Sequence, residues 1–103
     1  MKEISNCLEQ EFELKVVENR DGYLYAKNDV IMALIVSPHE GNDFSYLVRF
    51  STVPAFDRWA NSCPIEEFFE TTQEVVSFLK NNKTRIYKEL LEYLAEEFKY
   101  LCD

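Results

Sequence analysis

The chain has 103 residues, 47% hydrophobic and 29% charged, with a formal net charge of −8 at neutral pH. Those values fit one folded domain with enough apolar surface for a single core, and they argue against a disordered chain or a membrane protein. Its 19 acids against 11 basic residues repel phosphate backbones and anionic lipid, which disfavours direct binding to nucleic acid or to a membrane surface.

From Lys2 to Phe12, apolar residues Ile4, Cys7, Leu8 and Phe12 recur at spacings of three and four, with Glu3, Glu9 and Gln10 turned outward. This predicts a short amphipathic helix that is stable only when docked. From Phe12 the period becomes two: Phe12, Leu14 and Val16 alternate with Glu13 and Lys15, predicting a half-buried strand and a helix-to-strand boundary near Glu11. Asn19 to Gly22 supply turn residues, with Gly22 free to take positive φ, and Tyr23 to Ala26 read as the second strand of a hairpin.

Lys27, Asn28 and Asp29 predict another turn before Val30 to Val36, a run apolar on both faces that reads as a central, covered strand. That run is also the longest apolar one, far short of the roughly 20 residues a membrane-spanning helix needs. Ser37 to Asp43 is rich in turn formers. Phe44, Tyr46, Val48 and Phe50 then alternate with Ser45, Leu47, Arg49 and Ser51 in a fourth strand ending at Thr52 or Val53. Short polar connections require antiparallel pairing, because parallel crossovers need about a dozen residues each.

Helical signals follow. Pro64 suits a first helical position, Glu66 and Glu67 suit a helix N-terminus, and Thr71 to Glu74 resembles a capping box opening a segment through Lys80. Asn81 and Asn82 break that segment. A longer helix runs from Thr84 to Leu101, with Ile86, Leu90, Leu94, Phe98 and Leu101 on one stripe. The predicted fold is a single α+β domain over residues 1–103: an N-terminal helix, a four-stranded antiparallel β-meander, and C-terminal helices packed on the sheet.

Chemical signals are sparse. His39 is the only histidine, in a turn beside Glu40 and near Asp43, and one loop imidazole with two carboxylates is a weak metal or general-base signature. Cys7, Cys63 and Cys102 are odd in number and form no Cys-x-x-Cys pair. Reduced thiols are expected, and pairing of Cys7 with Cys102 near the chain ends is the alternative. The only glycines, Gly22 and Gly41, build no phosphate loop. Paired carboxylates such as Glu66-Glu67 and Glu96-Glu97 fall where helix ends and solvated faces favour negative charge. No metal and no cofactor is expected.

Two features point instead to binding. Val53 to Cys63 carries the only tryptophan, Trp59, with Phe56 and Arg58 close by; such residues anchor interfaces, or plug the end of a core where sheet meets helix. Between residues 53 and 79, Asp57, Glu66, Glu67, Glu70 and Glu74 are opposed by Arg58 alone. A face of that sign imitates a phosphate track and suits a basic groove.

The plan of a small acidic sheet flanked by helices resembles, in size, charge and layout, phage-encoded inhibitors and type III secretion chaperones. That resemblance carries over no individual residue. The expected function is a non-catalytic protein-binding module in the cytoplasm, an inhibitor that occludes a basic nucleic-acid-binding site on a partner, with Asp57, Trp59, Glu66, Glu67, Glu70 and Glu74 as contact residues. One alternative is a chaperone-like dimer with the last helix or a strand edge at a twofold contact, and another is a small enzyme using His39 or Cys63.

Overall fold

The computed structural model describes residues 2–20, 22–37, 46–54 and 63–102, apart from the side chains of residues 97, 98 and 100–102. The elements in chain order are α1 (Lys2–Phe12), β1 (Lys15–Arg20), β2 (Tyr23–Lys27), β3 (Ile31–Val36), β4 (Tyr46–Thr52), β5 (Ile65–Phe69), α2 (Thr72–Asn81) and α3 (Lys83–Cys102). The strands form one five-stranded sheet in which spatial order equals sequence order, each strand antiparallel to its neighbours. The fold is the expected α+β plan with one correction: the meander has five strands, not four.

Leu24, Ala26, Ile31, Ala33, Ile35, Val48, Phe50 and Ile65 share one sheet face, and they form a single core cluster with Ile4, Leu8 and Phe12 of α1, Val75 and Leu79 of α2, and Ile86 and Leu90 of α3. The three described helices therefore cover that face. β3 lies at the middle of the sheet, and its run from Ile31 to Ile35 is buried throughout, as a strand covered on both faces should be.

The boundary after α1 differs from the sequence expectation. Phe12 belongs to the helix, where it completes the buried stripe with Ile4 and Leu8. Glu13 then takes a left-handed conformation, with φ of 55°, and the Leu14 N–H bonds the Leu8 carbonyl at 3.2 Å. A left-handed residue is a common way to end a helix. It reorients the chain so that the first strand begins at Lys15, and Asn19 and Arg20 extend that strand instead of opening the turn. Gly22, with φ of 83°, supplies the positive φ of the hairpin. In the next turn the Asn28 side-chain oxygen accepts from the N–H groups of Val30 and Ile31 at 2.8 and 2.9 Å.

Ile65 to Phe69 is the second difference: the glutamates read as a helix N-terminus lie on a strand. Its register sets Phe50 opposite Ile65, Arg49 opposite Glu66 and Leu47 opposite Phe68. The helix begins later, at the capping signal. Thr71 is its N-cap, its hydroxyl accepts from the Glu74 N–H at 3.1 Å, and the Glu74 carboxylate reaches back to the Glu70 N–H at 3.4 Å. Asn82 closes α2 by donating main-chain and side-chain N–H bonds to the Phe78 carbonyl, both at 3.0 Å.

α3 is 20 residues long, about 30 Å of helix. Its core contacts fall in the first half, where Ile86 and Leu90 have no solvent exposure, while Leu94 is half-buried. Phe98 and Leu101, assigned to the same stripe from sequence, have side chains outside the described residues. No helix among the described residues is long and apolar enough to cross a membrane.

Candidate protein-binding surface

Strand alternation divides the outer sheet face, opposite the helices, into rows. Cross-strand partners share a face, so one row runs Arg20, Tyr23, Val36, Leu47, Phe68, and the next runs Glu18, Tyr25, Leu34, Arg49, Glu66. The face is closed toward β3, where Met32 is fully buried and Leu34 is 9% exposed. It is open toward β5, where Phe68 is 62% exposed, more than any other large hydrophobic described. Val36 and Leu47 of the same row are half-buried. An aromatic ring in water on a sheet edge has no role in this core.

The same alternation separates the acids predicted to act together. Glu66 lies on the outer face, where its Oε2 accepts from Arg49 Nε at 2.9 Å. Glu67 lies on the helix side, with its Oε1 3.9 Å from Arg85 Nη2. Arg85 also approaches Glu89 at 3.5 Å and lies over the Phe78 ring at 5.7 Å from its centroid, so its guanidinium is shared. Glu74 is engaged in capping α2, and the Glu70 carboxylate has no ion-pair partner among the described residues. Among the described residues, Glu66 and Glu67 thus lie on opposite sheet faces, with the exposed Phe68 next to them and Glu70 two residues further on. Asp57 and Trp59, the other predicted contact residues, lie outside the described residues.

Phe68 was not singled out in the sequence because Ile65 to Glu70 reads as helix. A signal was present: an N-cap at Thr71 leaves fewer than two helical turns after Pro64, too little for a stable helix, and proline is tolerated at a strand start.

The two described thiols offer little chemistry. Cys7 is buried in the core and Cys63 is half-buried; both are free. Burial pushes the Cys63 thiol above its usual range, against the pull of Arg49 and with a further push from Glu66. Burial does the same to Cys7, helped by Glu11. A raised thiol pKa leaves a thiol, not the thiolate a nucleophile needs. His39 and the Cys102 side chain lie outside the described residues. Among the described residues no group of His, Cys, Asp and Glu could hold a metal ion.

No protein-family model matches this chain, and no curated protein or solved structure is significantly similar to it.

Proposed function

We propose that this protein is a non-catalytic protein-binding module whose contact surface is the outer face of the β4–β5 pair, centred on Phe68. The observation that carries this reading is the 62% exposure of Phe68 on an edge strand, at the open end of a row whose other apolar members, Val36 and Leu47, are half-buried. Interfaces place an aromatic anchor at the centre and polar groups at the rim. Here the rim is the Arg49–Glu66 pair and Glu70.

The net charge of −8 steers the module toward a basic partner. A groove that binds nucleic acid on a larger enzyme offers both positive charge and flat stacking surfaces. The module then acts as an inhibitor that occludes such a groove in the cytoplasm, with Phe68 supplying area and Glu66 and Glu70 supplying sign. A catalytic reading through Cys63 has weaker support, because burial raises that thiol's pKa where a nucleophile needs it lowered.

Affinity capture of the tagged chain from nuclease-treated lysate of its native host, followed by mass spectrometry, tests the proposal when run beside two variants. Phe68→Asp is expected to lose a stoichiometric partner that the wild type retains. Val17→Asp, which alters another exposed apolar residue on the opposite sheet edge, is expected to keep it. Retention of the partner by Phe68→Asp contradicts the assignment.

A further inference from the structure

We infer that the outer edge of β5 takes up an extended basic segment of the partner protein as an added antiparallel strand. This rests on the Phe68 reading and deepens it. The main chain shows which groups that edge presents. The Val53 N–H donates to the Val30 carbonyl at 2.8 Å, so the odd-numbered residues of β4 face β3 and the even-numbered ones face β5. Carried through the unshifted β4–β5 register, this leaves Ile65, Glu67 and Phe69 bonded to β4, while the N–H and C=O groups of Glu66 and Phe68 point outward. Among the described residues no strand pairs with them. The outward set is bounded at both ends: Pro64 has no N–H to give, and the Glu70 N–H is held by the Glu74 carboxylate at 3.4 Å. The opposite edge is less suited, because the register of β1 shifts between Val16 and Glu18 and interrupts its ladder.

Charge selects the occupant. In an antiparallel ladder outward residues meet outward residues, so a second copy pairing through β5 is centred on Glu66, Glu67 or Phe68. These registers set Glu66 against Glu66, Glu67 against Glu67, and Glu66 against Glu70, and like charges directly opposite are destabilising. A segment with an apolar residue opposite Phe68, followed by basic residues opposite Glu67 and Glu66, finds a complementary group at each position. The cations nearby do not cancel the acids. Arg49 bonds one oxygen of Glu66, and Arg85 is divided between Glu67 at 3.9 Å and Glu89 at 3.5 Å, which leaves Glu70 and Glu74 in excess. Of the lysines on the packed helices, Lys80 acts on the Cys7 thiol of α1, and Lys83 and Lys88 border the groove of α3 around Leu91 together with Glu92. Residues 55–62 carry Asp57 and Arg58 and so add no net charge.

The probe is a synthetic peptide, blocked at both ends, with phenylalanine, lysine and arginine in that order between threonine–valine flanks. Titrated into the full chain and followed by amide NMR spectra, it is expected to saturate with a dissociation constant below about 1 mM. A scrambled peptide of the same composition should bind at least about tenfold more weakly. Bound peptide should slow hydrogen exchange at the Glu66 and Phe68 amides and leave Ile65, Glu67 and Phe69, already bonded to β4, as they were. Glu66→Pro removes an outward N–H without breaking a bond to β4, so it should bind at least about tenfold more weakly than Glu66→Ala, which loses the same carboxylate. Absence of saturation overturns the inference, as does equal binding of the scrambled peptide or protection that falls on Ile65, Glu67 and Phe69 instead. Glu66→Pro binding as tightly as Glu66→Ala overturns it too. The exchange measurement uses the wild-type chain and stands whether or not the proline variant folds. Any of these results removes the added strand alone if Phe68→Asp still loses the captured partner, whereas a partner retained by Phe68→Asp removes the Phe68 reading itself.

Discussion

The Tyr87 hydroxyl donates a 2.6 Å hydrogen bond to the main-chain carbonyl of Phe12, and the two rings stack with centroids 5.7 Å apart. Phe12 closes α1 and Tyr87 lies in the second turn of α3, so the bond joins the first element of the described fold to the last. Phe12 also meets Phe50 of β4 at 5.3 Å between centroids. One aromatic stack therefore fixes both terminal helices to the sheet that carries Phe68.

Tyr87→Phe removes the hydroxyl and preserves the stacking. The carbonyl of Phe12 then loses its partner in a half-buried setting, so the variant should be less stable by about 1 kcal/mol in urea unfolding. A change near zero would show that water replaces the hydroxyl.

Alkaline stability follows from the same burial. Burial raises Tyr87 above the usual 10.0, and Cys7 and Cys63 above the usual 9.0. The unfolded chain then releases these protons at lower pH than the folded one. Stability is thus fully present below the unfolded pKa values and falls as pH rises past them toward the folded values. Urea unfolding from about pH 7 to about pH 11 should show this decline, with the part above the tyrosine range flattened in Tyr87→Phe.

Leu90 and Leu91 give a sharp test of how α3 is rotated. Leu90→Ala empties a fully buried site and should cost about 2–5 kcal/mol. Leu91→Ala, at a position 54% exposed, should change monomer stability by no more than about 0.5 kcal/mol in dilute solution. Equal losses would contradict the described face of the helix.

Glu13 holds a left-handed conformation that costs a residue with a side chain more than it costs glycine. Glu13→Gly should therefore raise the thermal midpoint, with a gain of about 0.5–1 kcal/mol. A loss would mean that the Glu13 side chain contributes more than its backbone conformation costs.

Much of this fold was legible in the sequence wherever one signal dominated. The doubly apolar run ending at Val36 announced the central strand, the Thr71–Glu74 cap announced the start of α2, and the paired asparagines announced its end. Reading failed where two patterns overlapped. Phe12 satisfies both a helical stripe and a strand alternation, and the left-handed Glu13 that decides between them is invisible in composition. Ile65 to Phe69 carries helix-favouring glutamates, and only pairing with β4, which sets Arg49 against Glu66, makes it a strand. That reassignment also changes the candidate surface, because strand alternation puts Glu66 and Glu67 on opposite faces and brings Phe68 into the open.

The central claim is that Phe68 touches a partner protein. A photo-crosslinking amino acid installed in place of Phe68, in the native host and irradiated in living cells, tests it most directly when compared with the same amino acid in place of Val17. The account predicts one discrete heteromeric adduct from position 68 and none from position 17. No adduct at either position, or the same adduct at both, would contradict it.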